Sequence, residues 1–228
     1  MEPVKVAFLV FPGITQLDFT GPAQMLSKLG RVTIDSVAKS REPIATDSGF
    51  SILPTATLGE CRKADLLCVA GGNGVHDVMD DEEQLDWVRE VGGSARYVTS
   101  VCTGSLVLAA AGLLDGYKAT SHWMWRDHLS LFGAIPTEGR VVIDRNRITG
   151  GGVTAGLDFG LRVIGELRGE EHARLAQLAL EYDPEPPFDS GSPASAGPER
   201  VARIEALSAK EVEWRSARIR AAAERLRR

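Results

Sequence analysis

Short apolar runs alternate along the chain with longer stretches of helical spacing. Residues 4–11, 31–37, 65–70, 96–101 and 140–143 read as strands, and runs such as VAFLV and LLCVA are apolar on both faces, as buried parallel strands are. Between them, residues 19–29, 81–91 and 103–111 carry helical periodicity, a polar helix is expected around 122–131, and another follows the glycines at 150–152. This is the rhythm of βαβ units. It predicts an α/β fold with a doubly wound, mainly parallel, flavodoxin-like sheet and helices on both faces. The chain has no internal repeat.

From 182 to 198 the composition shifts to Pro, Ser, Gly and Asp, which sustain neither period, so this stretch reads as an extended connector. Beyond it, Val201, Ile204, Leu207, Val212, Ile219 and Leu226 mark one long helix with a narrow apolar stripe. The expected organisation is a catalytic domain at 1–181, the connector at 182–198, and a C-terminal helix at 199–228 that packs on the domain or on a second copy. Residues 200–228 hold nine Lys or Arg against four Glu, while the whole chain carries a net charge of -5. These charges read as a solvated helix face. The mild net charge gives no reason to expect a nucleic-acid partner, and a helix-turn-helix would need a second helix here.

At 228 residues and 43% hydrophobic content the chain can bury one sizeable core. Its first residues, MEPVKVAFLVF, lack the basic and long apolar regions of a secretory signal, and no window reaches the roughly 18 uncharged apolar residues of a membrane span. Three cysteines, an odd number without paired spacing, argue against a disulfide framework or a zinc site and fit a reducing cytoplasm.

In an open parallel sheet, ligands bind beyond the carboxyl ends of the strands, so the loops there hold the candidate chemistry. Four are loaded: PGITQLDFTGP with Asp18, GGNG at 71–74, Cys102 after VTSV, and GGGVTAG from 150. Cys102 ends an apolar strand directly before a Thr-Gly-Ser helix start, where a strained turn would present the sulfur and backbone N–H groups would favour the thiolate. The alternative is a small buried core residue, the expectation for Cys61 and Cys68. Asp18 fits either a helix cap or a partly buried carboxyl that faces the thiol, with its pKa raised for general acid–base work. The glycine runs suit tight turns, and their N–H groups could also stabilise negative charge. They are not phosphate cradles: GGNG lacks the following Gly-Lys-Ser/Thr, and GGGVTAG comes too late for a dinucleotide fingerprint. His122 is the one histidine placed to reach Cys102, or else it packs with Trp123 and Trp125; His76, His128 and His172 lie in polar contexts that predict exposure.

The segment VTSVCTGSLVLAAAGLLDGYKATSHW, together with FLVFPGITQLDFTGP, AGGNGV, RITGGGVTAG and LALEYDPEPPFDSGSP, resembles the PfpI-like superfamily, relatives of class I glutamine amidotransferases. Within it the chain is similar to the isocyanide (isonitrile) hydratases over nearly its whole length. The resemblance implies an amidotransferase-like fold, Cys102 as nucleophile, Asp18 as acid and base, and Thr103 hydrogen bonding beside them. It also implies a pocket lined by, or donating from, the backbone of Gly72, Gly151 and Val153. The implied reaction is hydration of an isocyanide by water to an N-substituted formamide through a covalent thioimidate, in a cytoplasmic homodimer with no cofactor and no metal. Many superfamily members carry glutamate where this chain has Asp18, and protease-like members carry histidine where it has Thr103; both departures point to the hydratase. Three alternatives stand beside it. A ligand-sensing domain of transcriptional regulators shares a VCTG elbow, a glyoxalase or deglycase is disfavoured by the missing glutamate, and amide hydrolysis by the missing adjacent histidine.

Overall fold

A computed structural model describes residues 1–227. Seven strands form the central sheet: β1 (Val4–Leu9), β2 (Val32–Ala38), β3 (Ala56–Thr57), β4 (Leu66–Val69), β5 (Tyr97–Val101), β6 (Val141–Asp144) and β7 (Arg147–Gly150). Their spatial order is β6-β7-β5-β4-β1-β2-β3, and every neighbouring pair is parallel except the edge hairpin β6–β7. The sheet is therefore the doubly wound, mainly parallel one that the apolar pattern predicts. Strand β1 pairs Val6 with Leu66 of β4 on one side and Val4 with Val32 of β2 on the other. The chain thus leaves β1 in one direction and returns in the other, which opens a crevice at the carboxyl ends of β1 and β4.

Side chains alternate along β1. Val6 and Phe8 enter one core with helices α1 (Gln16–Leu26), α5 (Ala155–Arg168) and α6 (Glu170–Ala179). Ala7 and Leu9 enter the other, with α2 (Val75–Asp80), α3 (Glu82–Ser94) and α4 (Gly104–Ala110). Burying each large side chain of this kind contributes about 1.5–3 kcal/mol, so a strand apolar on both faces is held from both sides. Close helix packing needs small residues: a Cβ on Gly160 of α5 would lie 2.5 Å from Cβ of Met25 in α1.

Several elements differ from the sequence expectation. Helix α1 begins at Gln16, three residues before the expected start, with Pro22 inside it. The stretch around 122–131 is a turn followed by a 3-10 helix, Arg126–Phe132, and α6 was not anticipated. The 182–198 stretch is not wholly extended, since it contains a short helix α7 (Pro193–Ala196) started by a Ser192–Ser195 capping box.

The C-terminal helix is α8 (Pro198–Leu226); Arg228, the last residue of the expected 199–228 span, lies outside the described residues. Of the apolar stripe only Ile219 is fully buried, while Ile204 and Leu207 are 47% and 76% exposed. The second half of α8 packs against the α2–α4 face through Ile219, Ala222 and Ala223. Its basic residues meet acids there: Arg218 pairs with Asp77 at 2.8 Å and with Asp80 at 2.5 Å, and Arg225 also pairs with Asp80. No helix among the described residues is long and apolar enough to cross a membrane.

Candidate active site

Cys102 stands on the turn between β5 and α4 with φ of +57°, a left-handed conformation that costs a non-glycine residue about 1–2 kcal/mol. Hydrogen bonds on both sides hold that strain in place. The Cys102 N–H donates to the carbonyls of Gly150 (3.1 Å) and Gly151 (2.8 Å). Its carbonyl accepts from Ser105 Oγ at 3.1 Å and Ser121 Oγ at 3.0 Å. The residue is 6% exposed.

Asp18 lies in the first turn of α1, where it does not cap its own helix; the N-cap is Thr15. Its Oδ2 accepts from the N–H of Gly71, beyond β4, at 3.0 Å, while the buried Oδ1 has no aligned hydrogen-bond partner. Burial pushes this carboxyl up to about 7, against the opposing pull of the Gly71 N–H and the Cys102 thiol. Thr103 Oγ1 accepts from the N–H of Gly72 at 3.0 Å, so the loop after β4 ties the aspartate to the cysteine elbow. This loop has no room for a side chain. A Cβ on Gly71 would lie 2.6 Å from Thr103 N and 2.7 Å from Asp18 Oδ2.

Burial raises the Cys102 thiol well above its ordinary value and the negative charge of Asp18 adds to that, while the N–H groups of Thr103 and Val153 pull it down. The N–H groups at the helix start favour the thiolate, as expected, but desolvation outweighs them. The structure also assigns the backbone groups of the glycine loops. The N–H of Gly72 is engaged by Thr103 and that of Gly151 by the Arg140 carbonyl at 2.9 Å, so Gly151 serves the cysteine through its carbonyl. The donors that face the sulfur belong to Thr103 and Val153.

A cavity of about 420 Å³, lined by neither Cys102 nor Asp18, is walled by the Gly151–Val153 loop, by Ser121 and His122, and by Ser192 of the C-terminal stretch. His122 is half-buried against the Gly152 loop, and burial, with the Arg215 charge, holds its imidazole below the ordinary value. It is uncharged at neutral pH. The expectation of exposure fails for the other histidines. His76 is 1% exposed, between Trp125 and Trp214 at ring distances of 6.3 and 5.6 Å, because α8 covers it. His128 bonds Ser216 and His172 the Lys28 carbonyl, both half-buried. Cys61 and Cys68 are free thiols in the core.

Sequence reasoning missed Ser121, Asn73 and Arg215. Arg215 of α8 is 7% exposed and donates to Asn73 Oδ1. A signal for it existed: it lies three residues after Val212 and four before Ile219, on the apolar face.

Residues 4–166 match the DJ-1/PfpI family. The isonitrile hydratase of Pseudomonas putida is 51% identical over 193 residues, which cover 85% of this chain and 85% of that protein. The HTH-type transcriptional regulator GbdR of Pseudomonas aeruginosa is 30% identical over 190 residues, covering 80% of this chain and 52% of the regulator. A solved THiJ/PfpI family protein from Pseudomonas syringae superposes with a TM-score of 0.91 at 49% identity, covering 98% of this chain and 91% of that one.

Proposed function

The chain belongs to the DJ-1/PfpI family, and from that premise we propose that it is an isocyanide hydratase, adding water to R–N≡C to give an N-substituted formamide. The observation that carries this is a buried thiol, Cys102, coupled to a buried carboxyl, Asp18, whose proton is poised at about pH 7. The similarity to the Pseudomonas putida isonitrile hydratase supports the substrate class.

An isocyanide carbon is electron-rich, so sulfur adds to it readily only when that carbon gains a proton. In the reactive form Asp18 holds the single proton shared by the pair and Cys102 is the thiolate. The carbon lone pair takes the Asp18 proton, the sulfur lone pair bonds the same carbon, and one C–N π pair becomes a nitrogen lone pair. The product is the thioimidate R–N=CH–S on Cys102, with Asp18 now a carboxylate. Asp18 then removes a proton from water as its oxygen bonds the carbon, and passes that proton to nitrogen. The resulting R–NH–CH(OH)–S adduct collapses: the hydroxyl proton goes to Asp18, the C–S bond breaks towards sulfur, and R–NH–CHO leaves. Thiolate and carboxylic acid are restored.

Thr103 and Val153 contribute N–H groups that favour negative sulfur, and Thr103 also anchors the Gly72 turn. In this proposal 1–181 is the catalytic domain, the 182–198 stretch walls its cavity, and the C-terminal helix α8 packs on the domain or on a second copy. Three free cysteines support a reducing cytoplasmic setting. The test is turnover of an aryl or alkyl isocyanide to its formamide, with mass spectrometry under substrate. A mass increase equal to the isocyanide is expected on Cys102 and on neither Cys61 nor Cys68, and Cys102→Ala should abolish turnover. Consumption of methylglyoxal with isocyanides untouched would overturn the proposal.

A further inference from the structure

Arg215 is the one buried Lys or Arg among the described residues, 7% exposed in the second half of α8. Its guanidinium reaches both walls of the site. Nη2 donates to Asn73 Oδ1, in the loop whose Gly71 and Gly72 bind Asp18 and Thr103. The guanidinium carbon also lies 5.4 Å from the centre of the Trp125 ring, in the segment whose Ser121 donates to the Cys102 carbonyl. Its buried Nε has no partner. A guanidinium stays protonated in a protein, so a full positive charge is held here.

Little cancels that charge. The ion-pair partner of Arg215 is Glu211, one turn back on the same helix, and its carboxylate is 53% exposed, so water screens it. From α2, His76 faces the guanidinium, and from the 121–125 segment, His122. Burial and Arg215 itself hold both imidazoles below their ordinary value, so neither is charged at neutral pH. Arg218, the next cation on α8, is occupied by Asp77 and Asp80. Across the site, Asp18 of α1 is the acid that faces the thiol, and a negative Cys102 sulfur is, after Glu211, the second charge that favours the protonated guanidinium.

We propose that Arg215 is a positioning residue for the reaction at Cys102: it ties the Gly71–Asn73 turn to the Ser121–Trp125 segment, and its uncancelled charge favours the negative sulfur. The inference rests on the reading of Cys102 as the nucleophile, and it makes the C-terminal helix part of the catalytic apparatus. A nearby cation favours the charged form of a desolvated thiol.

The test measures the rate at which iodoacetamide alkylates Cys102, by mass spectrometry from pH 7 to 10, alongside isocyanide turnover. Arg215→Gln retains polarity and loses the charge; it should slow Cys102 alkylation about tenfold at a given pH, which corresponds to a one-unit rise in the thiol midpoint. Arg215→Lys retains the charge and should recover most of the rate. Arg215→Met, which fills the same space without charge or donor, should slow alkylation as Arg215→Gln does, and it decides the matter if Arg215→Gln does not fold. Alkylation unchanged in Arg215→Gln or in Arg215→Met, or an equal loss with Lys and Gln, overturns the assignment. A wild-type protein that leaves isocyanides untouched while Arg215→Gln slows alkylation defeats the hydratase proposal and leaves the Arg215 assignment standing.

Discussion

Asp18 sits where its ionised form is penalised, and that one placement links stability to chemistry. Raised from 3.8 to about 7, its carboxyl binds a proton more tightly in the folded chain than in the unfolded one. The stabilising contribution is complete below about pH 4 and is lost as pH rises to 7, a change of roughly 4 kcal/mol. His76, lowered to about 4 by burial, works in the opposite sense, losing stability as pH falls from 6.5 towards that value. The Asp18→Asn variant isolates the first effect: at pH 8 it should melt above the wild type, with the difference shrinking towards pH 4. The same change should lower kcat about 10²–10⁴-fold, the usual worth of a general acid–base group. In the wild type kcat/KM should rise with pH through about 7, because the doubly protonated pair below that value has no nucleophile. A profile flat across pH 6–8 would remove Asp18 from proton transfer. Cys102 was legible as a candidate because it ends an apolar strand and Asp18 because it lies in the loaded loop after one, whereas the role of Thr103 came from the family resemblance. Arg215 was not, because its importance comes from a helix folding back over 140 residues of chain to Asn73.

At the scale of elements, the loop after β4 decides whether the thiol and the carboxyl meet. Gly71 lies between Asp18 and Thr103 with no space for a methyl group, so Gly71→Ala must push them apart. We expect loss of turnover and a stability decrease of about 1–3 kcal/mol in urea titration, the ordinary cost of overpacking. Gly93→Ala in α3, where a Cβ meets nothing within 4 Å, is the matched control and should be neutral or stabilising. The central strands were readable from apolar runs buried on both faces, whereas the short β3, strand β7 of the edge hairpin and the helix boundaries were not. The start of α1 at Gln16 follows from Thr15 N–H bonding to the Gly71 carbonyl, a contact between segments more than fifty residues apart in the chain. The Pro- and Ser-rich stretch hid α7 because its helix is a single turn held by the Ser192 cap.

Over the whole molecule, the basic tail and the acidic α2 neutralise one another. Arg218 and Arg225 meet Asp77 and Asp80, which docks the second half of α8 and leaves Ile204 and Leu207 of its first half exposed. An exposed apolar stripe of this kind suits a second copy. Light scattering should therefore give twice the 24.5 kDa chain mass, and Leu207→Glu should halve it; a wild type already at the single-chain mass removes the homodimer. The amino-acid sequence by itself determined the sheet class, the central strands β1, β2, β4 and β5, and the loops that carry Cys102, Asp18 and Thr103, because burial periodicity and strand ends are local properties of a chain. Only the tertiary structure decided how protons are held at the site. Desolvation, the Gly71 contact and the reach of Arg215 depend on which distant segments pack together, and no local pattern records that.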